Sequence, residues 1–375
     1  MKKSVLKIVA FLLIFALSAG YVINIYAFPT SFSTRCVAGF YKEEKNTIDG
    51  VFLGTSVVSC GWNAPVAFKE HGIAVYAMGS SIQPFGIYPE YLEFIRKTQD
   101  IKYAFIDVHG LRRQARLESL VPAKARIPYT DLKYGKSRTM MRKAVYDYVE
   151  RAYDFYGVSD EKYEYFDTSK TSYVFEFIDF HNRWIDGLEK ADYVTVANPY
   201  KSAHDRKRTF YINSNATHID TWEYGPYTVD DFQKNEIQRI VDYAEKTDLE
   251  VVFINFPTFT AAWEEGELHG IMEYIESIGQ RTLDLQSLDI LEDMNVSYSL
   301  DYADRTHLNS KGSAKASMYL SEYIKENLYY EDHREDERYE SWHKAFEKYT
   351  KYFKNGWEDR GDDYTLEGII ASVRK

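Results

Sequence analysis

Cysteine is almost missing from this sequence: Cys36 and Cys60 are the only two in 375 residues. One bridge is the most the chain can make within itself, so a disulfide framework and a cysteine-built zinc cluster are excluded. The basic surface that nucleic acid requires is missing too, because the formal net charge is -11. No phosphate-cradling loop follows the first strand-like run, since Gly54 and Gly61 are wrongly spaced for a P-loop or a dinucleotide fingerprint. His204, His218 and His269 stand apart from other ligand types at metal-like spacing, and neither a metal nor an organic cofactor is expected. No internal repeat is present.

One long apolar run is there, from Ile8 to Phe28, behind Lys2, Lys3 and Lys7. Its length suits a helix crossing a hydrocarbon core about 30 Å thick. The basic flank predicts a cytoplasmic N-terminus and an extracytoplasmic chain after Pro29. Tyr21, Asn24 and Tyr26 suit an interfacial exit and favour an uncleaved, single-pass anchor in the cell membrane. The alternative is secretion after cleavage near Ala16-Leu17-Ser18.

Beyond this segment the chain divides into a linker over 29–46, an α/β domain over 47–330 and a charged helical extension over 331–375. Strand-like runs at Gly50–Leu53, Ile73–Met78, Tyr103–Val108, Leu249–Phe256 and Arg281–Leu285 alternate with helix-like runs. The expected helices cover Trp62–Glu70, Pro89–Lys97, Val229–Lys246, Glu264–Ile278 and Ser310–Leu328. Such alternation predicts a parallel sheet covered by helices. It breaks down over 112–228, an insertion rich in Tyr, Asp and Lys that carries a helix at Arg142–Tyr156. In the extension, Trp342, Phe346, Tyr349, Tyr352, Phe353 and Trp357 recur at spacings of three and four, which predicts a helix packed on the main domain. The alternative there is a partner-binding helix.

Two short motifs carry chemistry. Gly54-Thr55-Ser56 follows the first strand, where Ser56 is either a nucleophile or a turn serine. Asp304-Arg305-Thr306-His307 precedes the last helix of the domain. An Asp three residues before a His lets the carboxylate fix the ring tautomer and leave the other nitrogen for a serine proton. The bland reading of that motif is helix capping by Asn309 or Ser310. In an open parallel sheet both motifs fall on the edge formed by the strand C-termini, where ligands bind. Gly79-Ser80-Ser81, after the second strand, is the rival nucleophile site.

The pairing of Gly54-Thr55-Ser56 with Asp304-Arg305-Thr306-His307 resembles the SGNH (GDSL-like) hydrolase superfamily, over about Val51 to Leu328. The resemblance implies a three-layer, flavodoxin-like α/β fold with a central parallel sheet. It also implies that Ser56 is the nucleophile, His307 the general base and acid, and Asp304 its orienting partner. Gly79 takes the place of the oxyanion-hole glycine, with the Ser56 N–H as the other donor. Two positions depart from the family pattern. Thr55 replaces the Asp of G-D-S, and the third block reads Asp107-Val108-His109-Gly110, without the asparagine that supplies an oxyanion donor in many members. His109 is weighed as a replacement donor against a polar structural histidine.

With the N-terminal anchor, the chain looks like the envelope members of that superfamily, among them the D-alanyl transfer protein of teichoic acid modification and polysaccharide acetyltransferases. The resemblance implies an esterase or O-acyltransferase acting on a cell-envelope glycopolymer or other acylated carbohydrate, with a membrane acyltransferase as a further partner. Tyr165, Phe166, Tyr173, Phe175, His181, Arg183 and Trp184 in the insertion are candidates for sugar contact, set against a role as subdomain core. The rival from another class is an inactive scaffold of the same fold.

Overall fold

Five short apolar runs pair into one sheet, in which every neighbouring pair is parallel. They are β1 (Gly50–Gly54), β2 (Val75–Gly79), β3 (Tyr103–Asp107), β4 (Glu250–Asn255) and β5 (Arg281–Asp284), in the order β2-β1-β3-β4-β5. The computed structural model describes residues 2–27, 32–113, 132, 138–157, 185, 187, 193, 196–204, 227–259, 262–358 and 365–373. All residues of β1, β2 and β3 are buried, as in a sheet covered on both faces rather than one with a wet side. Phe52 stacks on Phe105 with ring centroids 4.4 Å apart, tying β1 to β3 at the centre of the core.

The helices are α1 (Lys2–Ala27), α2 (Phe32–Phe40), α3 (Ser56–Gly61), α4 (Ala64–His71), α5 (Tyr88–Arg96), α6 (Arg138–Tyr156) and α7 (Asp231–Thr247). After these come α8 (Ala262–Ser277), α9 (Leu288–Asp293), α10 (Ser310–Asn327), α11 (Glu340–Glu358) and α12 (Leu366–Val373). Local chemistry sets their ends. Asp230 and Gln233 form a reciprocal capping box at the start of α7, and Asn309 accepts from Lys311 and Gly312 at the start of α10. Gly72 ends α4 at φ 71°, in the left-handed region that favours glycine.

The structure refines the sequence reading at three points. The helix expected over Trp62–Glu70 is α4, which starts at Ala64, and a further short helix, α3, precedes it from Ser56. The chain breaks at Trp62 because its indole enters the core and donates to the Val75 carbonyl at 2.9 Å, after which Asn63 caps α4. The expected linker 29–46 contains α2, whose Cys36, Val37 and Phe40 are buried, and the Tyr76 hydroxyl donates to the Cys36 carbonyl at 2.8 Å. The bridge left open by composition does not form, since Cys36 and Cys60 are both free and buried.

Within α1, Lys3–Val22 has a mean hydropathy of 2.3 and none of it is buried, so it is long and apolar enough for a membrane span or a signal sequence. The extension is built into the domain. Trp342 is fully buried against Phe68, and Tyr349 and Phe353 form an apolar cluster with Ile369 and Ile370. In the insertion, α6 buries Met141, Val145 and Tyr148, and Tyr148 packs on Phe232 of α7. Tyr165, Phe166, Tyr173, Phe175, His181, Arg183, Trp184 and His218 lie outside the described residues.

Candidate active site

The strand order reverses at β1 and β3: the chain leaves β1 toward β2, and leaves β3 toward β4. Connections diverge at such a point and open a crevice at the strand C-termini. Ser56 stands there as the first residue of α3, immediately after Thr55 in extended conformation.

The second motif reaches the same place from a small antiparallel hairpin, β6 (Tyr302–Asp304) and β7 (His307–Leu308). The structure brings Ser56, His307 and Asp304 together in a chain of contacts. Ser56 Oγ is 2.7 Å from His307 Nε2, and His307 Nδ1 is 2.7 Å from Asp304 Oδ1. A carboxylate oxygen accepts, so the ring hydrogen belongs on Nδ1 and Nε2 accepts from the serine hydroxyl. Side-chain exposure of 14% for His307 and 35% for Asp304 leaves the array reachable from solvent. Such an array can activate a hydroxyl for attack on an acyl carbonyl.

Neighbours hold the hairpin in place. Thr306 donates its N–H and its hydroxyl to Asp304 Oδ1 at 3.0 and 3.1 Å, filling the oxygen that faces the ring. Phe259, in the loop after β4, donates its N–H to the Arg305 carbonyl at 2.6 Å. Asn309 donates to the Leu300 carbonyl at 2.8 Å while capping α10, so the bland capping role and the hairpin coexist. Burial drives the Tyr302 phenol well above its ordinary range, keeping it neutral beside the site.

Gly79 lies beside the Ser56 turn. A Cβ on it would stand 2.8 Å from the Thr55 carbonyl oxygen and 2.6 Å from Ser59 Oγ, so only glycine permits this approach. The rival serines separate, with Ser80 buried and Ser81 exposed, while His307 is bonded to Ser56. His109 is buried, with Nδ1 2.6 Å from Asp107 Oδ1. His204 donates its backbone N–H to the Ser59 carbonyl at 2.7 Å, and His269 pairs with Glu273 on α8.

Sequence reasoning missed Thr306 and Asp107. Thr306 had a signal, since a threonine two residues after an Asp is common in side-chain turns. Asp107 had none beyond its place at a strand end. Among the described residues, no group of three or more His, Cys, Asp or Glu side chains is arranged to hold a metal ion. No family model matches the sequence, and no curated protein matches it.

Proposed function

We infer that the protein is an SGNH-type serine esterase or O-acyltransferase, anchored by α1 and working outside the cytoplasm on acyl groups of a cell-envelope polysaccharide or teichoic-acid-like polymer. One observation carries the reading: the unbroken chain from Ser56 Oγ through the His307 ring to Asp304, with both steps at 2.7 Å. In the proposed reaction Ser56 Oγ attacks the acyl carbonyl carbon as its proton passes to His307 Nε2. The Ser56 and Gly79 N–H groups meet the developing oxyanion. Collapse of the tetrahedral intermediate breaks the ester bond, and the leaving alcohol takes the proton from Nε2. Water or a sugar hydroxyl then attacks the acyl-enzyme, giving its proton to His307, and Ser56 is released reprotonated.

A second reading has one specific support. After β3 the chain reads Asp107-Val108-His109-Gly110 and offers no asparagine as a third oxyanion donor. A non-catalytic scaffold that binds glycopolymer or a membrane acyltransferase would tolerate that loss. Turnover of an acylated saccharide by wild type and by Ser56→Ala separates the two. Loss of turnover in the variant supports the enzyme, while equal turnover and an unchanged cellular phenotype support the scaffold.

A further inference from the structure

Thr55 and Asp107 lie 52 residues apart, at the ends of adjacent strands, and share two hydrogen bonds. Asp107 is fully buried, so its carboxylate oxygens need donors from the protein. Oδ2 accepts the Thr55 N–H at 3.0 Å and the Thr55 hydroxyl at 3.1 Å. Oδ1 accepts the His109 N–H at 3.3 Å and faces His109 Nδ1 at 2.6 Å. Two donors therefore come from the turn that carries Ser56, and two from the segment leaving β3. The carboxylate fastens the two diverging connections to each other.

Thr55 uses its hydroxyl against the usual pattern. A threonine before the first residue of a helix ordinarily accepts from the helix's leading amides. Here it makes no capping bond and donates to Asp107 instead. Gly54 belongs to the same device, because a Cβ on it would stand 2.3 Å from Asp107 Cβ and 2.7 Å from Oδ2. The three letters G-T-S thus divide the work: Gly54 leaves room for the carboxylate, Thr55 grips it, and Ser56 meets His307.

We propose that Thr55 and Asp107, with His109 closing the far side, are positioning residues that hold the turn so that Ser56 Oγ meets His307 Nε2. This rests on the reading of Ser56 as the nucleophile. Misplacing a reacting group by about 1 Å costs on the order of 100-fold in rate. The clamp therefore acts on the rate of serine attack and not on binding.

The test measures how fast a fluorophosphonate labels Ser56 in the full chain, over a range of probe concentrations. This separates the maximal rate from the half-saturating concentration. Thr55→Val keeps the shape without the hydroxyl and is expected to lower the maximal rate about tenfold at unchanged half-saturation. Thr55→Ser restores the donor and recovers most of the rate. Asp107→Asn slows labelling as well, and adding Thr55→Val to it brings little further loss because the two share one interaction. Should Asp107→Asn fail to fold by circular dichroism, the Val and Ser variants decide alone. A folded Thr55→Val labelled at the wild-type rate, or a Thr55→Ser as slow as it, overturns the clamp while Ser56 remains the nucleophile. Wild type left unlabelled at Ser56 overturns both.

Discussion

Ser56 Oγ and His307 Nε2 stand 2.7 Å apart although 251 residues separate them in the chain. The first rides on the helix that leaves β1, the second on a hairpin just before α10. Only the folded sheet brings them together, so their contact depends on how the elements around the crevice are held.

If Asp304 fixes the ring of His307, variants of either residue should cost alike, and a variant one contact further out should cost far less. On the proposed reading, His307→Ala removes the proton acceptor and is expected to lower ester turnover by roughly 1,000-fold or more. Asp304→Asn keeps the shape but inverts the tautomer preference, for a loss of a similar order. Thr306→Val removes one of the donors to Asp304 Oδ1 and costs only a few-fold. Steady-state rates on an aryl ester check the ranking, and combining His307→Ala with Ser56→Ala should add little to either alone.

A buried ion pair packs against the extension. Lys201 Nζ lies 2.6 Å from Glu43 Oε1, donates to Ser341 Oγ at 2.8 Å and sits over the Trp342 ring. Burial pushes the Glu43 carboxyl up and the Lys201 amine down, each against the pull of its partner. Lys201→Met leaves Glu43 buried without its countercharge, and chemical denaturation should register a loss of about 3–5 kcal/mol. Replacing both residues, Lys201→Met with Glu43→Leu, should recover much of that loss.

His333 predicts a pH-dependent contribution to stability. Burial lowers its affinity for a proton, but the hydrogen bond and charge of Asp49, 2.8 Å away, outweigh this and hold the folded value above the usual one. A raised folded value stabilises fully below the unfolded value of about 6.5, and the gain is lost as pH rises through the folded value. The melting-temperature advantage of wild type over His333→Gln should therefore be widest below about pH 6.5 and should narrow in alkaline buffer. The part that persists reports the stacking of His333 on Tyr339, with ring centroids 4.2 Å apart, and the hydrogen bond a neutral ring still makes to Asp49.

Helix α1 should govern how the protein partitions. The full chain is expected in the membrane fraction and to need detergent for extraction, while a chain beginning at residue 29 should be recovered without it. Mass spectrometry of the mature N-terminus distinguishes an uncleaved anchor from a cleaved signal.

Much of this architecture is legible in the sequence because burial writes itself as unbroken apolar runs. "VFL", "IAVYAM" and "YAFIDV" have no polar alternation, and they form the strands of a sheet covered on both faces. The extension helix is legible for a related reason, since aromatics spaced by three and four build one apolar face. Short helices are harder to see. Phe32–Phe40 is short and buries Ser33 and Thr34 along with Cys36, Val37 and Phe40, so no apolar face stands out, and α3 has only six residues, too few for a period to emerge. Ser56 and His307, which the structure brings within 2.7 Å, could be picked out in the sequence because each sits in a local motif. The Thr55–Asp107 and Lys201–Glu43 pairs join residues 52 and 158 positions apart, and such contacts exist only once the chain has folded.

Covalent chemistry at one residue tests the central claim most directly. The full chain is treated with a fluorophosphonate, digested, and mapped by mass spectrometry beside Ser56→Ala and His307→Ala. A single adduct on the peptide containing Ser56, absent from Ser56→Ala and strongly reduced in His307→Ala, is the predicted result. A folded wild type that carries no adduct on Ser56, or one whose labelling is indifferent to His307, would contradict the account.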